Sequence, residues 1–543
     1  MVRKVFDQFF RQVHHVPMYS FLHRASLMEQ YAAGKVDKAL LLSLVGITSC
    51  LTDMGSDIRE YGNRCIEEAE ARILAEYTVP STIKVQALIL IIKHRILCNR
   101  FPSAFMLFSI ASRFAAALRL NHEMPSLCFL AQESRRRLMW SLYCTDISIS
   151  GGFEEFSLWR ADRIHVGLPC NERNFEFDLC QPTETLILTT DQEPQQPHGD
   201  DVASLALYVR ILHIRQKIME FTKTALVSRN AGAVDLQTGV LSLQRDLEEF
   251  ANRLPASFQF SESSLRLRAY SPRICVFVMI HVWWRQCHCD LYRLAFTDFR
   301  DALPPSAFEA FDSTFLDFCQ RQCVEHALAM SEIFNSMQRL GASMVADLEF
   351  ATCASQCARM LLSALRLDSQ RLSLNKDNVT KHTQTCLSAI QRYCCGAAAE
   401  AIAADLHRLL NQGITSEPTQ TSDKPLPVQA MHPILRDIQV GEEPSVINSP
   451  ITIGTSSPRR MSSGWALPSL GSPRGMPQAT LPSQAGSQLS PSFDLESSAL
   501  NNAYEGAMEG LGLDNGLDHA MGIVDVSGMW APNTDWMTEF SGV

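Results

Sequence analysis

The side chains in this chain best suited to chemistry are its cysteines, its histidines and one short run of arginines. Cys287-His288-Cys289 sets three metal-ligating groups side by side. On a helix, neighbours one and two apart point about 100° and 200° away from each other, so these three converge poorly on one ion. Their context, Trp283-Trp284 through Leu291-Tyr292, reads as a buried helix in which cysteine serves as a small hydrophobe. The four-residue spacings Cys319–Cys323 and Cys353–Cys357 take the same reading. A catalytic cysteine needs a partner base and a depressed pKa, and the sequence offers no sign of either. No P-loop, His-Glu-x-x-His or Gly-x-Ser-x-Gly pattern occurs. Gly510-x-Gly512-x-x-x-Gly516 has the wrong spacing for a dinucleotide site and follows no strand. No catalytic, cofactor-binding or metal-binding residue is therefore assigned.

Arg135-Arg136-Arg137 is the sharpest basic cluster. It could touch a phosphate backbone, but in an acidic chain a salt-bridged helix turn is the better reading, and no DNA-binding residue is assigned. Asp146 lies four residues after Leu142 and three after Tyr143, on the apolar side of the same helix. A buried carboxylate needs a cationic or hydrogen-bonding partner, so Asp146 is expected to be paired, with an arginine as the first candidate.

The elements that must position these groups are helices. Leu207, Ile211, Ile214, Ile218 and Phe221 step by four, three, four and three, which aligns them on one face. Leu243, Leu247, Phe250 and Leu254 repeat the pattern before a stop at Pro255. Pro102 and Ser103 open an Ala/Phe/Leu stretch that runs to Leu120. Period-two alternation is scarce, and Thr185–Thr190 is the best candidate for a short strand. Residues 181–203 hold Pro182, Pro194, Pro197 and Gly199 and read as a surface loop.

Composition narrows the class. The chain has 543 residues, of which 46% are hydrophobic, enough to bury a large core. The 48 basic and 58 acidic residues leave a formal net charge of −10, which disfavours a uniformly basic nucleic-acid binder. The 17 cysteines are odd in number and dilute, and no two are spaced Cys-x-x-Cys. MVRKVFDQFF lacks the apolar core of a signal peptide, and the apolar run Val85–Ile92 stops at Lys93, too short to span a bilayer. These features predict a reduced, soluble, intracellular protein without a membrane segment.

The body is expected to end near Gln412. Residues 413–491 are rich in Ser, Pro and Gln and read as a disordered linker, with Ser-Pro steps at Ser449, Ser457, Ser472 and Ser490. Residues 492–543 carry no Lys or Arg and alternate acids with large apolar groups, among them Trp530, Trp536, Met537 and Phe540. That is the composition of an acidic-hydrophobic activation segment, whose acids keep the aromatics solvated until a partner's groove takes them. An arm that docks on its own domain is the alternative.

The helix Glu133-Ser-Arg135-Arg136-Arg137-Leu-Met-Trp140-Ser-Leu-Tyr143-Cys-Thr-Asp146 resembles the signature of the fungal-specific transcription factor domain, the middle homology region of binuclear zinc-cluster regulators. Met139 replaces a tryptophan of that pattern, and Ile147 stands where the family has an arginine. Val85–Leu90 and Ala115–His122 are similar to earlier family segments, and Val166-Gly-Leu168-Pro169 is similar to its Val-x-Leu-Pro stretch. Leu247–Pro255 and Cys323 with Ala327 resemble later helices, so the likeness spans about residues 10–410.

The resemblance implies an all-α, multi-helix regulatory domain with a signature helix at about 133–150, followed by a long disordered tail. It also implies a nuclear regulator of RNA polymerase II genes, with transcription coactivators as partners and homo- or heterodimers with zinc-cluster factors. The family's DNA-reading module needs two zinc ions on six cysteines in Cys-x-x-Cys pairs, whereas the first cysteine here is Cys50. Zinc and direct DNA binding are thus family expectations that no residue here carries. Two alternatives stand: a zinc-cluster module upstream of Met1, or a co-regulator that heterodimerises with full-length relatives. An enzyme on a helical body is the reading from another class, and the lack of a nucleophile–base pair disfavours it.

Overall fold

The computed structural model describes residues 2–187, 203–227, 232–296, 308–309, 311–367, 372 and 374–412. The linker and activation segment of residues 413–543, with Trp530, Trp536, Met537 and Phe540, lie outside the described residues, as does most of the 181–203 loop. The first helices are α1 (Val2–Gln8), continued by a π-helical turn Phe9–Val13, then α2 (Arg24–Ala32), α3 (Lys38–Leu51) and α4 (Ser56–Ala75). There follow α5 (Thr82–Leu97), α6 (Phe101–Ala117), α7 (Phe129–Ser150), the short α8 (Glu172–Glu176), α9 (Ser204–Val227) and α10 (Ala233–Asn252). The last are α11 (Glu262–Arg268), α12 (Ile274–Tyr292), α13 (Ser313–Arg339), α14 (Leu348–Leu367), α15 (Lys376–Tyr393) and α16 (Ala397–Gln412). Among the described residues there is no strand, only one isolated bridge between Ala346 and Cys394. Thr185–Ile187 is irregular, so the expected strand does not form there, and Leu188–Thr190 lie outside the described residues.

Local signals set the helix ends. The Asp37 carboxylate accepts from Leu40 N at 3.0 Å and starts α3, and the Ser81 hydroxyl accepts from Lys84 N at 3.2 Å and starts α5. Pro102 sits in the first turn of α6, where its missing N–H costs nothing. Gly151 ends α7 in the left-handed region.

Helix α5 is the centre of the N-terminal half. Val85, Ala87, Leu88, Ile89, Leu90, Ile91 and Ile92 are all fully buried, so the helix is apolar all round rather than amphipathic. It packs against α3, α4, α6 and α7. Helices α3 and α4 approach closely through two glycines. A Cβ on Gly46 would fall 2.2 Å from Ile66 Cγ1, and one on Gly62 would fall 1.8 Å from Ser49 Oγ. In the other half α12 plays the same central part, packed against α9, α10, α13 and α14. The helical faces expected from spacing are realised: Leu207, Ile211 and Ile218 are buried on α9, and Leu247 and Phe250 on α10.

Candidate functional site

The signature helix is α7, and it starts at Phe129, four residues before the expected start at Glu133. Its polar side chains are anchors for irregular chain. Glu133 and Arg137 are buried and paired, Arg137 Nε donating to Glu133 Oε1 at 2.8 Å. The same Glu133 oxygen accepts from Cys170 N at 2.9 Å, and Arg137 Nη2 donates to Cys170 O at 2.8 Å. The Arg137 guanidinium lies 4.3 Å over the Phe175 ring. Burial alone would push its pKa down, and Glu133, Glu172 and Cys170 together outweigh that and lift it. Arg136 Nε donates to Glu123 at 2.7 Å, and Arg135 Nη2 donates to Leu118 O at 2.9 Å, beyond the last turn of α6. All three arginines are thus engaged within the domain, as a structural reading of the cluster requires.

The next turns continue the pattern. Trp140 Nε1 donates to Gly167 O at 2.7 Å, which holds the stretch before Leu168 and Pro169, both buried. The Tyr143 hydroxyl donates to Gln216 Oε1 at 2.7 Å and lies 2.8 Å from His213 Nδ1, tying α7 to α9. Ser141 Oγ donates to Met18 O at 2.7 Å.

Asp146 corrects the expectation of an arginine partner. It is buried, yet its carboxylate accepts from Ser157 Oγ at 2.8 Å, Leu158 N at 3.0 Å and Trp159 N at 2.9 Å. The chain turns back after Gly151 and brings these donors over α7, which no spacing within the helix could announce. Desolvation dominates over the three donors and pushes the Asp146 carboxyl up to about 6.

A second buried polar set links the two halves, and the sequence reading missed it. Lys93 on α5 donates to Asp347 Oδ2 at 3.0 Å and lies 3.6 Å from Glu349 Oε1. Burial would push the ammonium pKa down, but the two carboxylates outweigh burial and raise it. Glu349 also accepts from Ser148 Oγ at 2.7 Å and from the Tyr208 hydroxyl at 2.6 Å. Tyr208 accepts from Trp283 Nε1 at 3.2 Å, and the Arg215 guanidinium lies 4.5 Å over the Trp283 ring. Arg215 Nε faces Asp290 Oδ2 at 3.6 Å. The available signal was Lys93 itself, a cation that continues an apolar helix.

Next to Asp290 opens a cavity of about 470 Å³. Gln286, Asp290, Gln356 and Arg359 give it polar walls, and Met360 and Ile402 close its apolar side. Gln286 Nε2 bonds Asp290 Oδ1 at 2.8 Å and Gln356 Oε1 at 2.5 Å, joining the cavity wall to the ionic set. The Cys287-His288-Cys289 side chains go separate ways. His288 stacks on His326 with ring centroids 3.8 Å apart, and burial lowers its pKa to about 3. Cys289 and Cys323 each donate to the other's carbonyl at 3.7 Å.

Comparison with known proteins shows what part of this arrangement is similar to. The family model described as "Fungal specific transcription factor domain" matches residues 6–250, short of the 10–410 span of the resemblance. Residues 6–250, somewhat under half of the chain, are thus similar to a domain of fungal transcription factors. Two matches are Zn(2)-C6 fungal-type transcription factors of Fusarium oxysporum f. sp. lycopersici. They are 22% identical over 49% of this chain and 31% of the relative, and 23% over 51% and 32%. An uncharacterized transcriptional regulatory protein of Schizosaccharomyces pombe is 25% identical over 32% of this chain and 19% of its own length. The chain thus covers a third or less of the length of the curated relatives it matches. No solved structure matches it. The zinc-cluster module does not fit the residues present, because none of the 17 cysteines supplies a Cys-x-x-Cys pair. No helix among the described residues is long and apolar enough to cross a membrane.

Proposed function

We propose that this chain is a nuclear regulator of RNA polymerase II transcription, with a helical regulatory body and an activation segment at residues 492–543. The observation that carries the reading is the family domain, built around a signature helix whose charged residues are all engaged internally. The body sets activity through packing. Its ionic set spans α5, α7, α9, α12 and α14, and the cavity at its edge is where a small ligand or a partner side chain would bias that packing. The tail presents Trp530, Trp536, Met537 and Phe540 to a coactivator groove. Fused to a foreign DNA-binding domain, the chain should activate a reporter, and removal of 492–543 should return the reporter to background. Undiminished activation by the shortened fusion would reject the tail's role.

A second reading is favoured by the missing Cys-x-x-Cys pairs: a co-regulator that heterodimerises with zinc-cluster factors and works through their DNA contacts. Co-precipitation of a zinc-cluster protein from the source cell would support it. Recovery of the chain alone, with reporter activation intact, would favour the first.

A further inference from the structure

Helices α3 and α5 bring together three metal-ligating side chains from separate parts of the sequence. Cys50 closes α3, His94 lies in the last turn of α5, and Cys98 caps that helix. One ligand atom from each lies within 4.8 Å of the others. Among the described residues this is the one group of three such atoms. His94 and Cys98 are four apart on one helix face, the spacing that lets two ligands share an ion.

We propose that Cys50, His94 and Cys98 form a binding site for a thiophilic cation of the zinc(II) class, held within the regulatory body and separate from any DNA-reading zinc cluster. The geometry suits such an ion. Metal–sulfur bonds of about 2.3 Å and metal–nitrogen bonds of about 2.0 Å, arranged tetrahedrally, put ligand atoms roughly 3.5–3.8 Å apart. Cys98 Sγ lies 3.7 Å from the His94 ring nitrogens. His94 Nε2 lies 3.0 Å from Asn63 Oδ1, so with Nε2 as the donor the Nδ1 lone pair is left for a cation. A hydrogen bond of that kind fixes the tautomer and ring direction of metal-ligating histidines.

The other close thiols differ. Cys289 and Cys323 are fully committed to each other's carbonyls, whereas Cys98 is partly open to solvent. The fourth tetrahedral position falls to water. Binding would hold both sulfurs as thiolates and tie α3 to the end of α5.

The test is a cobalt(II) titration of the purified, reduced full chain under anaerobic conditions, followed by zinc displacement. We expect thiolate-to-cobalt charge-transfer bands that saturate at one equivalent and vanish when zinc is added. Cys98→Ser should abolish the bands, His94→Gln should shift and weaken them, and Cys128→Ser, at an exposed thiol, should leave them unchanged. Circular dichroism of Cys98→Ser establishes that it folds, and zinc should raise the Tm of the unaltered chain but not of this variant. Absence of the bands, or identical bands in Cys98→Ser, overturns the proposal. So does a Cys50–Cys98 disulfide formed on mild oxidation in a chain that takes up no cobalt, which would make the thiols a redox pair instead.

Discussion

The two buried polar regions of this molecule solve the same problem in opposite ways. Around α7, peptide groups share the load: Cys170 O accepts from Arg137 beside its partner Glu133, Leu118 O accepts from Arg135, and the N–H groups of Leu158 and Trp159 donate to Asp146. At the core's centre, charge meets charge across helices, Lys93 against Asp347 and Glu349, and Arg215 against Asp290. The first arrangement ties irregular segments to one helix. The second joins α5, within the matched family domain, to α14, beyond it. The difference teaches that the signature is a set of loop anchors, while the coupling between halves rests on a few long-range ions.

That contrast predicts the largest effect at Lys93. Lys93→Met keeps the length of the side chain but strands the buried Asp347 and the largely buried Glu349, and should cost about 3–5 kcal/mol in urea unfolding. Combining it with Asp347→Asn and Glu349→Gln removes the stranded charges and should recover most of that loss. If the triple variant is no better than the single one, packing rather than charge dominates the centre. Glu133→Gln comes next. It deprives Arg137 of its counter-ion but leaves the Cys170 and Ser20 carbonyls as acceptors, so a smaller loss of about 2–3 kcal/mol is expected.

The same contrast explains what could be read in the sequence. The helical faces of α9 and α10 and the engagement of Arg136 and Arg137 were legible because their cause is local: spacing along one helix, and an acid three or four residues away. The partner of Asp146 was not, because its donors arrive on a loop whose return depends on tertiary packing. The Lys93–Asp347 pair, separated by 254 residues, left only one trace, a cation on an apolar helix. Cys50, His94 and Cys98 were illegible for the same reason, since α3 and α5 must pack before they meet.

Asp146 sharpens the comparison, being a buried carboxylate with no countercharge among the described residues. Its pKa, raised to about 6, means that the folded state holds the proton more tightly than the unfolded state, where the ordinary value lies near 4. Its contribution is fully present below about pH 4 and is lost as pH rises through about 6, a change on the order of 3 kcal/mol. Asp146→Asn carries no such proton and resembles the protonated carboxyl, so the two should be nearly equal near pH 4, and the variant should become the more stable as pH rises to 7. Asp146→Ala leaves Ser157 Oγ, Leu158 N and Trp159 N without an acceptor and should lose about 1–3 kcal/mol at every pH. Urea midpoints of the three proteins at pH 5 and pH 7 decide it. A constant offset between Asp146→Asn and the unaltered chain would mean that the peptide donors alone keep the carboxylate charged, and that dipoles solvate a buried ion here as well as the paired charges do around Lys93.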